Sequence, residues 1–171
     1  MPTPAYMSIE GTKQGPITQG TLTAESVGNI WQEAHKDEIL VEAFNHSIII
    51  PTDPQSGQPT GQRVHCPLNF TKVYDKCSSL LYTALTTGER LTKVVVKWYR
   101  TTPEGVQEHY FTHELEDAVI VNITARMPNC QDPGQAHFTH LEDVAMTYRK
   151  ITWTHEVAGT SGSDDWRAPV M

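Results

Sequence analysis

The sequence predicts a mainly β protein: a β-barrel of two antiparallel sheets, with one short flanking α-helix and one long extended loop. Three observations predict it. Most of the chain alternates apolar and polar residues with a period of two, as half-buried strands do. One stretch, 75–87, instead spaces its apolar residues as a helix does. Residues 51–65 hold Pro51, Pro54, Gly57, Pro59 and Gly61 with almost no apolar side chain, yet they join two strong strand patterns.

The helix is the clearest element. Leu80, Leu81, Ala84 and Leu85 form one apolar stripe that must dock on something. Ser78 is placed to cap its start and Gly88 to close its end. About three turns of helix are too short to stand alone. The chain runs directly into the strongest strand, 93–100, with Val94, Val96 and Trp98 on one face and Lys93, Val95, Lys97 and Tyr99 on the other.

The remaining elements follow in order. Residues 5–11 read as a first strand, and a turn-rich region follows, with a further strand over 29–34. Residues 38–50 read as one long β run with apolar residues on both faces: Leu40, Phe44, Ile48 and Ile50 against Ile39, Val41, Ala43 and Ile49. Residues 51–65 read as a projecting hairpin arm, because a long uncovered loop in a compact domain usually has a function. In 64–74, Val64, Cys66, Leu68 and Phe70 share a face, with Pro67 favouring a bulge or an edge. Residues 102–105 turn the chain, 108–115 return as a partner strand, and 115–126 continue with Val119, Val121, Ile123 and Ala125 on one face. Val144, Met146 and Tyr148 hold one phase and Ile151 and Trp153 the other, so the pattern slips at Arg149-Lys150 as a bulge does. The whole chain, 1–171, is expected to be one domain with a loosely ordered tail over 158–171.

Composition narrows the function. The formal charge is −7, from 13 basic and 20 acidic residues, which argues against a nucleic-acid binder. No apolar run approaches a membrane span, so no membrane insertion is expected. Residues 1–20 show no signal-peptide pattern, and the three cysteines, Cys66, Cys77 and Cys130, form neither a disulfide framework nor a zinc motif. Folding in the reducing cytoplasm is the expectation.

The search for chemistry returns nothing assembled. His109 and His113 share a face if their strand is regular, and His137 and His140 are near neighbours, but no third ligand completes a metal spacing. The pairs Glu116/Asp117, Glu142/Asp143 and Asp164/Asp165 point to opposite faces of a strand and cannot act as dyads. Residues 159–162 lack the lysine of a phosphate loop, and Lys97-Trp98-Tyr99-Arg100 sits on a strand expected to be buried. No catalytic residue, cofactor or metal is assigned. A β-rich body with two-sided strands and a polar arm suits a protein that associates with copies of itself.

Several stretches, in order and at matching spacing, then carry a resemblance. They are Pro4-Ala5-Tyr6-Met7, Ile50-Pro51-Thr52-Asp53 through Gly61-Gln62-Arg63-Val64-His65, Leu81-Tyr82-Thr83-Ala84-Leu85 and Lys97-Trp98-Tyr99-Arg100. Tyr110-Phe111, His140-Leu141-Glu142 and Tyr148 through Thr154 continue the match over almost the whole length. The chain resembles Hcp, the hemolysin-coregulated proteins of type VI secretion, in a plain form without a fused domain.

The resemblance implies a non-enzymatic subunit that forms hexameric rings, which stack into a hollow tube. A contractile sheath expels the tube behind a VgrG-type spike, and secreted effectors ride in the lumen. The subunit would be made in the cytoplasm and exported without a signal peptide. Ring closure needs a heterologous contact, for which the surplus apolar face of 38–50 is the candidate. Stacking falls to the arm, through Thr52, Asp53, Gln55, Ser56, Gln58, Thr60, Gln62 and Arg63. The competing reading is a monomeric small-ligand carrier, which needs an apolar cavity where Phe44, Phe70, Trp98 and Tyr148 are expected to fill the barrel.

Overall fold

The computed structural model describes residues 3–168. Strand β1 is Ala5–Gly11 and the short β2 is Gly15–Pro16; helix α1 is the single turn Ala24–Val27. Then come β3 (Ile39–Val41), β4 (Ala43–Asn45), β5 (Ile48–Ile49), β6 (Val64–His65), β7 (Leu68–Val73) and helix α2 (Ser78–Thr87). The chain ends with β8 (Leu91–Thr101), β9 (Gln107–Arg126), β10 (Leu141–Thr147), β11 (Lys150–His155) and β12 (Thr160–Asp165).

The fold is mainly β, with two antiparallel sheets that share β9. In one, β1, β8, the first half of β9, β11 and β12 lie side by side. In the other, the second half of β9 pairs β10, then β7 and β4. The hydrogen-bonded path returns to its start through 39–45: β3 pairs β1, β4 pairs β7, and the Glu42 amide between them donates to the Thr71 carbonyl at 2.9 Å. Side chains fill the space enclosed, among them Met7, Ile9, Phe70, Leu115, Val144 and Met146.

The single β run expected over 38–50 is three strands with three partners. Ile39 and Val41 point into the core, the chain kinks at Glu42, and Phe44 then packs inward from the other phase. Both faces are apolar in sequence because the inward face changes along the run. The strand expected over 29–34 is instead two short 3-10 turns, Gly28–Ile30 and Glu33–His35. The lone flanking helix has the one-turn α1 for company.

Bulges decide which residues of β9 are buried. Asp117 has φ 57°, the left-handed conformation that Asp tolerates better than bulkier residues. Arg90 Nη1 donates to its Oδ1 at 3.0 Å. The residues that follow are thereby shifted in phase: Ala118 and Ile120 are buried and Val121 is exposed, so the four residues read as sharing one face are split. A second irregularity, where Asn122 and Ile120 face Ala145 and Met146, leaves Val121 as the extra residue and returns Ile123 to the core side. A third slip, at Trp98/Tyr99 against Phe111/His109, makes Tyr110 the extra residue. The slip read at Arg149-Lys150 is where the chain leaves β10 in one sheet for β11 in the other.

Helix α2 presents Leu81 and Ala84, both fully buried, to the barrel, with Leu80 and Leu85 half-buried beside them. Gly88 takes the left-handed cap conformation, φ 68° and ψ 29°, and its amide region closes on Ala84 and Leu85. The start differs from expectation. The cap position is Cys77, whose amide donates to Asp75 Oδ1 at 3.1 Å; Ser78 is already helical and its hydroxyl is committed elsewhere.

That commitment is to a buried charge cluster. Lys72, with no exposed side-chain surface, donates to Glu142 Oε2 at 2.8 Å, Asp75 Oδ1 at 3.1 Å and Ser78 Oγ at 3.0 Å. Ser78 donates in turn to Glu142 Oε2 at 3.1 Å. Lys72 and Glu142 are direct cross-strand partners in β7 and β10. Burial works against the ammonium, yet its acidic neighbours Asp75 and Glu142 raise the Lys72 pKa above the ordinary lysine value. Burial also pushes the Cys77 thiol well up, so it stays neutral and the two carboxylates supply the attraction.

The tail is built in rather than loose as far as it is described. Residues 160–165 pair with β11 through six residue pairs, Lys150↔Asp165 to His155↔Thr160. Trp166 donates its indole N–H to the Tyr148 carbonyl. Residues 169–171 of the expected tail lie outside the described residues.

Candidate assembly site

The arm is a hydrogen-bonded hairpin. Its root is the two-stranded β5–β6 ribbon, Ile48↔His65 and Ile49↔Val64, extended by Cys66 N–H to Ser47 C=O at 3.0 Å. Further out, Thr60 N–H donates to Pro51 C=O and Asp53 N–H to Gln58 C=O, each at 2.8 Å. At the tip Gly57 has φ 74°, a conformation a side chain disfavours, and its amide donates to Asp53 C=O at 2.8 Å.

Six of the eight arm residues named from sequence, Thr52, Gln55, Ser56, Gln58, Thr60 and Gln62, are exposed along this hairpin. The other two are half-buried and do different work. Asp53 Oδ1 accepts the Gln55 amide at 2.9 Å and Oδ2 the Ser56 hydroxyl at 3.0 Å, which shapes the tip and lowers the Asp53 pKa. Arg63 turns back onto the body: Nε donates to Asp164 Oδ2 at 2.6 Å, and Nη2 to the carbonyls of Asp165 at 3.0 Å and Ala168 at 3.2 Å.

The apolar end of the 38–50 run, part of the surplus face proposed for contact with another copy, is the root of the arm. Ile48, Ile49, Ile50 and Val64 are each between 37% and 52% exposed. In sequence the run Ile48-Ile49-Ile50 reads as part of one continuous two-faced strand. A polar finger thus rises from an apolar base.

The other residues singled out do not assemble into a site. His109 and His113 are separated by the Tyr110 bulge. His109 Nε2 meets the Thr112 hydroxyl at 2.8 Å, whereas His113 Nδ1 accepts the Trp98 indole N–H at 2.7 Å. Burial, with a smaller contribution from His46, lowers the His113 pKa to about 4. Glu142 is buried with Lys72, while Asp143 faces out to Arg126 at 2.8 Å and Thr71 at 2.6 Å. Residues 159–162 are the turn into β12 and its first half. Among the described residues no group of three or more His, Cys, Asp or Glu is placed to hold a metal ion. Grooves on the surface reach about 350 Å³; one is lined by Lys93, Lys97, His109, Thr112, Glu114 and Glu156.

A barrel of two sheets sharing one strand, with a docked helix and a polar hairpin arm, is an architecture that known proteins share. A family model described as "Type VI secretion system effector, Hcp" matches residues 6–155. The chain belongs to the Hcp family. It is 70% identical over 170 residues to the "Major exported protein" of Pseudomonas aeruginosa, covering 99% of both chains. It superposes on a crystal structure of an Hcp protein with a TM-score of 0.93 at 51% identity, over 97% of this chain and 99% of the other. A secreted Hcp protein from Pseudomonas aeruginosa gives 0.83 at 60% identity, again over 97% and 99%.

Proposed function

We propose that this Hcp-family chain is the structural, non-enzymatic subunit of a type VI secretion inner tube. Hexameric rings of it stack into a hollow tube. The subunit is made in the cytoplasm without a signal peptide. A contractile sheath expels the tube behind a VgrG-type spike, with effectors carried in the lumen.

The observation that carries the reading is the arm. A hairpin bonded along its length is rigid enough to dock, and its exposed polar residues keep an unstacked ring soluble. The apolar base of Ile48–Ile50 and Val64 is available for burial against a neighbour. In a ring, one patch meets a different patch of the next copy. Arm contacts of modest strength act together when two rings meet, because the first contact raises the effective concentration for the rest. The filled barrel interior gives a small-ligand carrier no room.

Native mass spectrometry with negative-stain imaging of the same sample tests it. Hexamers that appear as open-centred rings are expected. A monomer across a wide concentration range refutes the tube reading and returns the question to a carrier. Replacing 52–62 by a tight turn leaves the protomer folded and removes stacking and secretion; normal secretion of that variant refutes the arm's role.

A further inference from the structure

Five polar side chains run from the arm root to the tail strand. His46 Nε2 meets Tyr148 Oη at 2.8 Å, and Tyr148 Oη meets His65 Nδ1 at 2.6 Å. His65 Nε2 meets Asp164 Oδ2 at 2.6 Å, and Arg63 Nε donates to that same oxygen at 2.6 Å. His65 is buried. Its Nε2 faces a carboxylate and so carries the proton; in the neutral ring Nδ1 must then accept. In that state the single Tyr148 proton points to His65, and His46 donates its Nε2–H to the Tyr148 oxygen.

Asp164 is thus the one acceptor on which both sides of the arm root converge. Arg63 and His65 lie at the outgoing end of the hairpin; His46 lies just before its incoming strand β5. Asp164 belongs to β12, an edge strand that among the described residues pairs with β11 alone. Arg63 first, then His65, hold the Asp164 carboxyl below the usual range, as charge-assisted bonds to the ionised form do. The side chain of Trp166, tilted against His65 with centroids 5.5 Å apart, closes over the junction.

We propose that Asp164 is a positioning residue that latches the arm to the tail strand, so that the arm's orientation and the docking of β12 form one thermodynamic unit. Without Asp164 the arm root keeps the two residue pairs of β5–β6, the Cys66–Ser47 bond and the Arg63 bonds to the Asp165 and Ala168 carbonyls, but loses the carboxylate that Arg63 and His65 share. A hairpin that short is marginal by itself. The latch stands on these contacts alone; its consequence for ring stacking rests on the assembly role proposed above.

The test is hydrogen exchange by mass spectrometry on the full chain. Asp164→Asn removes the charge from the bonds to both Arg63 and His65, and exchange over 46–66 should rise at least about tenfold. Ser161→Ala, on the same strand but outside the junction, should leave the arm at wild-type rates. Coupling is reciprocal, so Arg63→Gln, made on the arm, should raise exchange over 160–165; this variant decides the matter if Asp164→Asn does not fold. Arm exchange unchanged in Asp164→Asn, or β12 exchange unchanged in Arg63→Gln, overturns the latch. Negative-stain counts of stacked rings for the same variants report separately on the arm. A loosened arm with normal stacking keeps the latch and refutes the stacking role.

Discussion

Replacing Lys72 by methionine tests what holds helix α2 and sheet strand β10 together. The side chain has no exposed surface and is bonded to Glu142 at 2.8 Å and Asp75 at 3.1 Å. Glu142 already has one buried oxygen, Oε1, with no partner. Methionine fills similar volume, so the cavity contribution is small. The loss is electrostatic: two buried carboxylates and the Ser78 hydroxyl lose their common donor. Breaking a buried pair from one side costs about 3–5 kcal/mol. That is a large share of the roughly 5–15 kcal/mol that holds a domain folded. A protein of this size should lose roughly 6–20 °C in Tm. Urea melts followed by tryptophan fluorescence, at one fixed protein concentration because assembly adds its own stability, measure the loss. Adding Glu142→Gln to Lys72→Met removes one stranded charge and should regain at least about 1 kcal/mol. A single variant within about 1 kcal/mol of wild type would refute the reasoning and show that water or relaxation reaches the cluster.

Leu81→Ala deletes a fully buried side chain under α2 and should cost about 2–5 kcal/mol in the same melts; Leu85→Ala, half-buried, should cost clearly less. His113 titrates at about 4 in the fold against 6.5 in the unfolded chain. The unfolded state therefore binds more protons between those values, and stability falls as pH is lowered through that window. The difference corresponds to about 3 kcal/mol. His113→Gln, which keeps an acceptor for the Trp98 indole, should flatten the slope of urea stability over pH 4–6.5. Gly57→Val forces a β-branched residue into φ 74° at the arm tip. It should raise hydrogen exchange over 51–60 while leaving Tm within a few degrees.

The helix, the arm and most strand positions were legible because each depends on local pattern. Leu81, Ala84 and Gly88 announce a docked, capped helix without knowledge of what they dock on. The misreadings came where a local pattern changes partner. Residues 38–50 read as one strand apolar on both faces, but the inward face switches at Glu42 because the segment leaves one sheet for the other. Val119, Val121 and Ile123 look like one face until Asp117 and then the extra residue Val121 shift the phase, and nothing in the string Glu116-Asp117 signals that. Lys72 occupies an inward position in β7 between two apolar strands; its partner Glu142 is far away in sequence, so only the register of β7 on β10 reveals the pair. The tail was misjudged from its composition: Gly159 and Ser163 suggest a loose end, while Asp164 and Trp166 fasten it through long-range contacts. At the candidate site, exposure of the polar arm followed from the sequence, but the split between residues that face out and residues that anchor, Asp53 and Arg63, did not.

The sharing of β9 has a consequence for the order in which the chain is made. Before Gln107 emerges from the ribosome, β1 can pair with β8 and β4 with β7, but only the bent 39–45 segment joins the two pairs. β8 then has a bare edge, and so has β7, which waits for β10. Both sheets are completed by the final third of the sequence. Synthesis therefore passes through a stage in which apolar strands such as Val94–Val96 and Leu68–Phe70 are made but uncovered. Exposed edges of that kind seek other chains. A nascent chain stalled before Arg126 should be a strong client for chaperones that bind extended apolar segments, whereas a chain released a few dozen residues later should need none.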